Sequence, residues 1–310
     1  MIELQGVSKV YRSILGRAVT AVEDFSLKVD DGEVLGVAGP NGAGKSTLIA
    51  MLLGFTRPTA GNVSIDGVAP RRYVERNGVG YLSELVQVPP RWHAETALRR
   101  YALLSGASNA GAPALAASAI KRLGLDEHRD KKIKALSKGN LQRLGFAQAT
   151  LLPRRVYIFD EPTHGLDPVW TQRFRGVVTE LRAPNTIVII ASHNLDELQR
   201  LTDRVAIIDH GRLQRVVTTG YVPDSSTAIV YRLTVVEGAD EVRSVFPVSF
   251  DHGRGDIEVR VSDLRELNRG IAELIARGTV MAGVAPAESV LETHFREAVS
   301  SSGGSSGKKS

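Results

Sequence analysis

The sequence of 310 residues contains no cysteine. That absence removes disulfide frameworks, thiolate metal sites and cysteine nucleophiles, and it is compatible with a reducing compartment. Long apolar runs are missing as well. A membrane-spanning helix needs roughly 18 or more consecutive apolar residues, and the best run, Thr186 to Ala191, has the length of a buried strand. The chain is therefore not expected to cross a membrane itself. Its opening, MIELQGVSKVY, lacks the basic start, apolar middle and cleavage site of a secretory signal, so these residues are expected to join a cytosolic fold. Charge of one sign is not in large excess. Scattered Lys and Arg number 39 against 34 Asp and Glu, giving +5, a balance that suits a solvated surface or the anionic inner face of a membrane. No nucleic-acid partner is expected.

What is present is enough apolar sequence, 43%, for a packed core. From Glu33 a β-rich apolar run, a glycine-dense turn and a helix-favouring segment follow one another. Apolar runs at Val156 to Phe159, Thr186 to Ala191 and Arg204 to Asp209 alternate with helical patterns at Pro168 to Leu181 and Leu195 to Leu201. This alternation predicts a mostly parallel sheet with helices on its faces, an α/β fold. Helix-rich, alanine-rich sequence over about 85–152 predicts an inserted helical subdomain within a domain of residues 1–220. Residues 221–299 restart as strand, helix, strand, strand, helix, strand and a final helix, a small α+β domain of split βαβ, ferredoxin-like order. In it, Leu264, Leu267, Ile271 and Leu274 share one helix face, and Asp263 with Glu266 is spaced as a capping box. Residues 300–310, rich in Ser and Gly, read as a flexible tail.

Three motifs carry chemistry. GPNGAGKST, comprising Gly39, Pro40, Asn41, Gly42, Ala43, Gly44, Lys45, Ser46 and Thr47, fits the Walker A pattern between a predicted strand and helix. Its backbone N–H groups and helix N-terminus suit a phosphate chain, Lys45 suits the β and γ phosphates, and the Ser46 hydroxyl suits Mg²⁺. VYIFDEP resembles Walker B: Asp160 is a candidate metal ligand, and Glu161 a candidate carboxylate to polarise the attacking water. LSKGNLQR, from Leu136 to Arg143, places Ser137 and Gly139 at a predicted helix start, again an anion-binding geometry.

Walker A, the LSKGN segment and Walker B in that order resemble the ATP-binding cassette family, over about residues 1–213. The resemblance implies the P-loop ATPase core with an N-terminal antiparallel β part. It also implies that Ser137 and Gly139 bind the γ phosphate of ATP held by a second ATPase subunit, an identical chain being expected. Tyr11 is similar to the aromatic residue that stacks on adenine, Asp167 to the loop residue beside Walker B at the dimer interface, and His193 to the histidine that contacts the γ phosphate. ATP and Mg²⁺ are the implied cofactors, with membrane-spanning transporter subunits as partners and the cytoplasmic face of the membrane as the location. Three departures stand out. Glu84, with Gln87 a weaker alternative, occupies the place of the usual metal-linked glutamine; Lys138 and Asn140 replace the usual glycine and glutamine of the signature; and His164 stands where serine is common.

The resemblance implies an ATPase that powers a transporter, of the exporter type for drugs, lipids or polysaccharides. The alternatives are an importer subunit and a soluble regulatory ATPase, the latter opposed by the presence of Glu161. Translation and DNA-repair relatives of the fold are disfavoured, because the chain has a single Walker A and no sustained heptads between Lys45 and Ser137.

Overall fold

The computed structural model describes residues 1–12, 18–219, 229–253, 255–286 and 290–303. Two compact units form, one from Met1–Thr219 together with Glu297–Ser310 and one from Gly220–Arg296.

In the first unit the elements run β1 (Ile2–Arg12), β2 (Ala18–Val29), β3 (Val34–Ala38), α1 (Lys45–Leu52), β4 (Ala60–Ile65), α2 (Pro70–Asn77) and β5 (Gly80–Leu82). They continue α3 (Ala94–Leu104), α4 (Ala112–Arg122), α5 (Lys138–Ala149), β6 (Val156–Asp160), α6 (Pro168–Leu181), β7 (Ile187–Ser192), α7 (Leu195–Leu201), β8 (Arg204–Asp209) and β9 (Arg212–Thr218). A three-stranded antiparallel sheet of order β2-β1-β4 stands beside a six-stranded sheet of order β5-β6-β7-β3-β8-β9. The larger sheet is parallel except for the β8–β9 pair.

Every residue of β3, β6 and β7 is buried. Parallel strands covered on both faces need apolar residues at successive positions, which is why VLGVA, VYIFD and IVIIAS are continuous rather than alternating. The register sets Ala38 opposite Ser192 and Asp160 opposite Ala191, so the loops after β3, β6 and β7 leave the sheet side by side. The carboxyl ends of parallel strands are where an open α/β sheet offers its ligand crevice.

The helical part, α3 to α5, buries small residues such as Ala97, Ala102, Ala116 and Ala119, which let its helices approach closely. An aromatic cluster fastens α5 and α6 to β6. The ring of Phe146 lies 5.2 Å from Phe159 and 5.0 Å from Phe174, and Phe159 is 5.9 Å from Phe174. These tilted and edge-on contacts are favourable arrangements for aromatic quadrupoles.

The second unit contains β10 (Ile229–Glu237), α8 (Ala239–Val245), β11 (Ser249–Asp251), β12 (Asp256–Val261), α9 (Leu264–Ala276) and β13 (Val280–Pro286). Its antiparallel sheet has the order β11-β12-β10-β13, the arrangement of two interleaved βαβ halves. Leu233, Val235, Ile257, Val259 and Val261 meet Val242, Phe246, Leu267 and Leu274 from the helices in one core. At the start of α9 the Asp263 carboxylate accepts the Glu266 N–H at 2.7 Å, and Glu266 reaches back to the N–H of Ser262 rather than that of Asp263.

The last helix, α10 (Val290–Gly303), runs into the segment read from composition as a tail. Propagating an established helix fixes one residue per added hydrogen bond, so serines of moderate propensity extend it at little cost. Residues 304–310 of that segment lie outside the described residues.

Candidate functional site

The loop between β3 and α1 wraps an open cavity of about 230 Å³, lined by Asn41, Gly42, Gly44, Lys45, Ser46 and Thr47, with Ala21 of β2 and, across it, Glu84, Asp160, Glu161, His164 and His193. Glycine is required in this loop for two physical reasons. Gly44 adopts φ 107°, and a Cβ there would meet the Ala21 carbonyl oxygen at 2.5 Å; Gly42, at φ +84°, has open space but a backbone that other residues adopt poorly. Gly44 also caps α1 without a side chain, which leaves the first N–H groups of the helix for a ligand. Lys45 is buried, and its ammonium donates to the carbonyls of Gly39 at 2.6 Å and Pro40 at 3.2 Å.

Opposite the loop, β6 ends in Asp160 and Glu161 follows it, and the two are 6% and 7% exposed. Burial, reinforced by the charges of Glu161 and Glu84, pushes the Asp160 carboxyl up to about 6, with Lys45 acting in the other direction. Glu161 has φ 47°, a left-handed backbone that is costly for a side chain of its size and that turns its carboxylate toward the end of β7. There it accepts the His193 N–H at 3.1 Å and the Ser192 hydroxyl at 3.3 Å, and the His193 Nδ1 lies 2.8 Å from its second oxygen. His193 itself is 60% exposed on the cavity side. Asn194 caps α7 through the Glu197 N–H, which fixes the turn that presents His193. The His164 ring sits 6.3 Å from that of His193.

The cavity therefore gathers Asn41, Gly42, Gly44, Lys45, Ser46, Thr47, Glu84, Asp160, Glu161 and His193 of the sequence-predicted residues, while Gly39, Pro40 and Ala43 shape the loop behind it. Glu84 lines this cavity, whereas Gln87 lines a neighbouring groove. Tyr11, Ser137, Gly139 and Asp167 are not among the cavity's lining residues. Tyr11 is exposed at the end of β1 with the Lys9 ammonium 5.1 Å from its ring. Ser137 caps α5 by accepting the Asn140 N–H, and Asp167 caps α6 by accepting the Trp170 N–H. Sequence reasoning gave no role to Gln142, a buried polar side chain that donates to the carbonyls of Glu161 and Pro162, both at 3.4 Å. A glutamine inside an otherwise apolar helix face is the signal that could have found it.

No helix among the described residues is long and apolar enough to cross a membrane. The family model described as "ABC transporter" matches residues 22–164. The chain is 32% identical over 283 residues to the daunorubicin/doxorubicin resistance ATP-binding protein of Streptomyces peucetius, covering 88% of this chain and 84% of the relative. It is 32% identical to the Nod factor export ATP-binding protein I of Rhizobium etli, covering 68% and 66%, and 30% identical to the methionine import ATP-binding protein of Haemophilus influenzae, covering 72% and 66%. Among solved structures, an ATP-binding subunit of an ABC transporter superposes with TM-score 0.63 at 25% identity, covering 89% of this chain and 99% of that one. A dimeric cassette bound to ADP and Pi superposes with TM-score 0.66 at 21% identity, covering 71% and 99%, a likeness of fold.

Proposed function

From the premise that this chain belongs to the ATP-binding cassette transporter family and is an ATP-hydrolysing subunit, we propose that it powers export through separate membrane-spanning subunits as one half of a homodimer at the cytoplasmic face. The observation that carries this reading is the convergence of Lys45, Ser46, Asp160, Glu161 and His193 on one cavity at the ends of β3, β6 and β7. The loop N–H groups and Lys45 bind the phosphate chain. Glu161, held by Ser192 and His193, orients and polarises the attacking water, and His193 contacts the terminal phosphate.

Ser46, Asp160 and Glu84 present an all-oxygen donor set to the same cavity, and the raised proton affinity of Asp160 marks negative charge that a cation would relieve. Among the described residues no three His, Asp or Glu side chains form a cage for a metal. That suits Mg²⁺, which is held by one or two carboxylates and would complete its shell with phosphates and water. When bound, it neutralises charge on the phosphate oxygens.

The dimer is supported by what the cavity omits. Ser137 and Gly139 do not line it, and Ser137 is exposed, so in the proposed dimer a second chain brings them to the nucleotide, where Asp167 would face the partner. Tyr11 is proposed to stack on adenine. A groove of about 430 Å³ lined by Tyr81, Leu85, Val86, Val88 and Tyr101, next in sequence to Glu84, suits a short helix of a membrane-spanning partner.

Export is favoured by one relative: the drug-resistance protein aligns over 283 residues, into the second unit, against 229 for the methionine-import protein and 218 for the Nod factor export protein. Reconstitution with the membrane protein that co-purifies from native membranes tests the direction: ATP-dependent loss of substrate from the cytoplasmic side is expected, and ATP-dependent uptake would reverse the assignment. Loss of hydrolysis in a folded Lys45→Ala variant tests the ATPase site.

A further inference from the structure

Two neighbouring residues of α5 hold the two ends of the loop that follows β6. Gln142 is 5% exposed, and its Nε2 donates to the backbone carbonyls of Glu161 and Pro162, both at 3.4 Å. At the other end, Arg143 donates to the Asp167 carboxylate at 3.3 Å while its guanidinium carbon lies over Trp170, 3.4 Å from the ring centroid. Asp167 is shared, because its other oxygen accepts the Trp170 N–H at the start of α6. Trp170 is in turn braced by Gly124, where even a Cβ would meet the indole at 2.9 Å. Between these anchors, a Cβ on Gly165 would lie 3.3 Å from the Lys138 side chain, so the middle of the loop also rests on the first turn of α5.

We infer that Gln142 and Arg143 are positioning residues that hold the loop carrying Glu161 and His164 against the helix beginning at Ser137, and so keep the water-activating carboxylate in place. The inference rests on the proposed role of Glu161. Its physical basis is that both contacts are specific and costly to lose. Gln142 is the partner given to two carbonyls in a buried place, where an amide has no water to replace it. Arg143 is largely desolvated: its Nε is buried with no acceptor among the described residues, and burial draws its guanidinium below the usual arginine value. A guanidinium accepts this state because its flat face stacks on indole, which a lysine ammonium cannot imitate. Glu161 sits on a left-handed backbone, a conformation that persists only where neighbours enforce it, and Gln142 grips its carbonyl.

The test is a set of variants, Gln142→Leu, Arg143→Ala, Arg143→Lys, Trp170→Phe and Trp170→Leu, read by steady-state kinetics and by amide hydrogen exchange over residues 161–167. Misplaced catalytic groups lose turnover rather than ground-state binding, so kcat should fall between about tenfold and 100-fold in Gln142→Leu and Arg143→Ala, with KM for Mg-ATP within about threefold. Exchange should quicken in 161–167 and not in β3 or β7. Trp170→Phe, which keeps a ring face, should recover most of the turnover lost in Trp170→Leu, and Arg143→Lys should fall between wild type and Arg143→Ala. Wild-type kcat and wild-type loop protection in folded Gln142→Leu and Arg143→Ala would overturn the inference, as would a loss of protection spread evenly through the first unit. A Glu161→Gln control that hydrolyses ATP at the wild-type rate would remove the catalytic reading of Glu161, while the exchange pattern would still report on the tether itself.

Discussion

The N-termini of α1 and α5 are both glycine-bearing helix starts suited to an anion, yet they are finished differently. At α1 the cap is Gly44, no side chain occupies the first N–H groups, and a cavity with Lys45 and the carboxylates stands in front of them. At α5 the Ser137 hydroxyl already accepts the Asn140 N–H, Ser137 and Lys138 are exposed, and no cavity faces them among those described. One terminus faces a cavity within a single chain; the other is, on the proposed dimer, half of a site. The sharpest way to break this contrast is Lys45→Ala. Lys45 is the one Lys or Arg lining the cavity among the described residues, so ATPase activity should fall by on the order of 10³-fold while the fold persists. Unchanged turnover in a folded variant, measured by phosphate release, would mean that α1 is not the phosphate-binding terminus.

Next in size is Glu161→Gln, which keeps hydrogen bonding but removes the charge that polarises water. Hydrolysis should drop by about 100-fold, with ATP still bound, and the chain should accumulate as an ATP-bound dimer in sedimentation with Mg-ATP. Hydrolysis at the wild-type rate by a chain that stays monomeric at saturating ATP would remove Glu161 from the mechanism.

The difference between the two termini is tested directly by mixing. Ser137→Ala and Lys45→Ala chains are each expected to be impaired alone. Combined, a mixed dimer retains one intact pairing of α1 from one chain with α5 from the other. Random association should then restore roughly a quarter of wild-type activity, because half the dimers are mixed and each carries one of two sites. No recovery, with mixed dimers demonstrated by cross-linking, would place both termini on the same nucleotide within one chain.

The same contrast explains what the sequence made legible. The β3 strand, glycine loop and α1 form a contiguous stretch, so their order could be read directly, and α6 and α7 begin where expected because Asp167 and Asn194 cap them locally. The strand read from Thr186 to Ala191 instead covers Ile187–Ser192, since Ser192 pairs in the ladder opposite Ala38 despite its polarity. The tether from Gln142 to Glu161 was not legible, because it joins residues separated in sequence that only the packing of α5 against β6 brings together. The left-handed backbone at Glu161 was equally hidden: glutamate is an ordinary residue to find after a strand, and tertiary contacts rather than local preference impose that conformation. In the second unit, the Asp263 and Glu266 spacing was readable, but not that Glu266 would choose the N–H of Ser262.

The smallest expected effect lies in the charge that faces α1. The Asp160 carboxyl has an ordinary value of 3.8 and is raised to about 6 in the folded chain by burial, by Glu161 and by Glu84. Between those two values the folded state keeps a proton that the unfolded chain has released, so raising the pH through this window favours unfolding. Below it both states are protonated, and above it both are ionised, so the loss is complete by neutral pH. The nucleotide-free chain should therefore lose part of its stability as the pH rises from about 4 to 6, and Asp160→Asn should not lose that part. Carboxylates held below their usual range, such as Glu258 beside Arg232 and His252, act with the opposite sign, which is why the difference between wild type and Asp160→Asn is the useful quantity. Glu84→Gln should shrink that difference, since it removes one of the charges that oppose ionisation of Asp160, and should leave ATP turnover intact because an amide oxygen remains in place of the carboxylate. Thermal unfolding across pH 4 to 7 checks all three chains. A wild-type minus Asp160→Asn difference that is flat across this range would show that neither burial nor the neighbouring carboxylates raise Asp160 in the free chain, an unchanged difference in Glu84→Gln would remove Glu84 from that effect, and a loss of turnover in Glu84→Gln would assign the Glu84 charge a role of its own in hydrolysis.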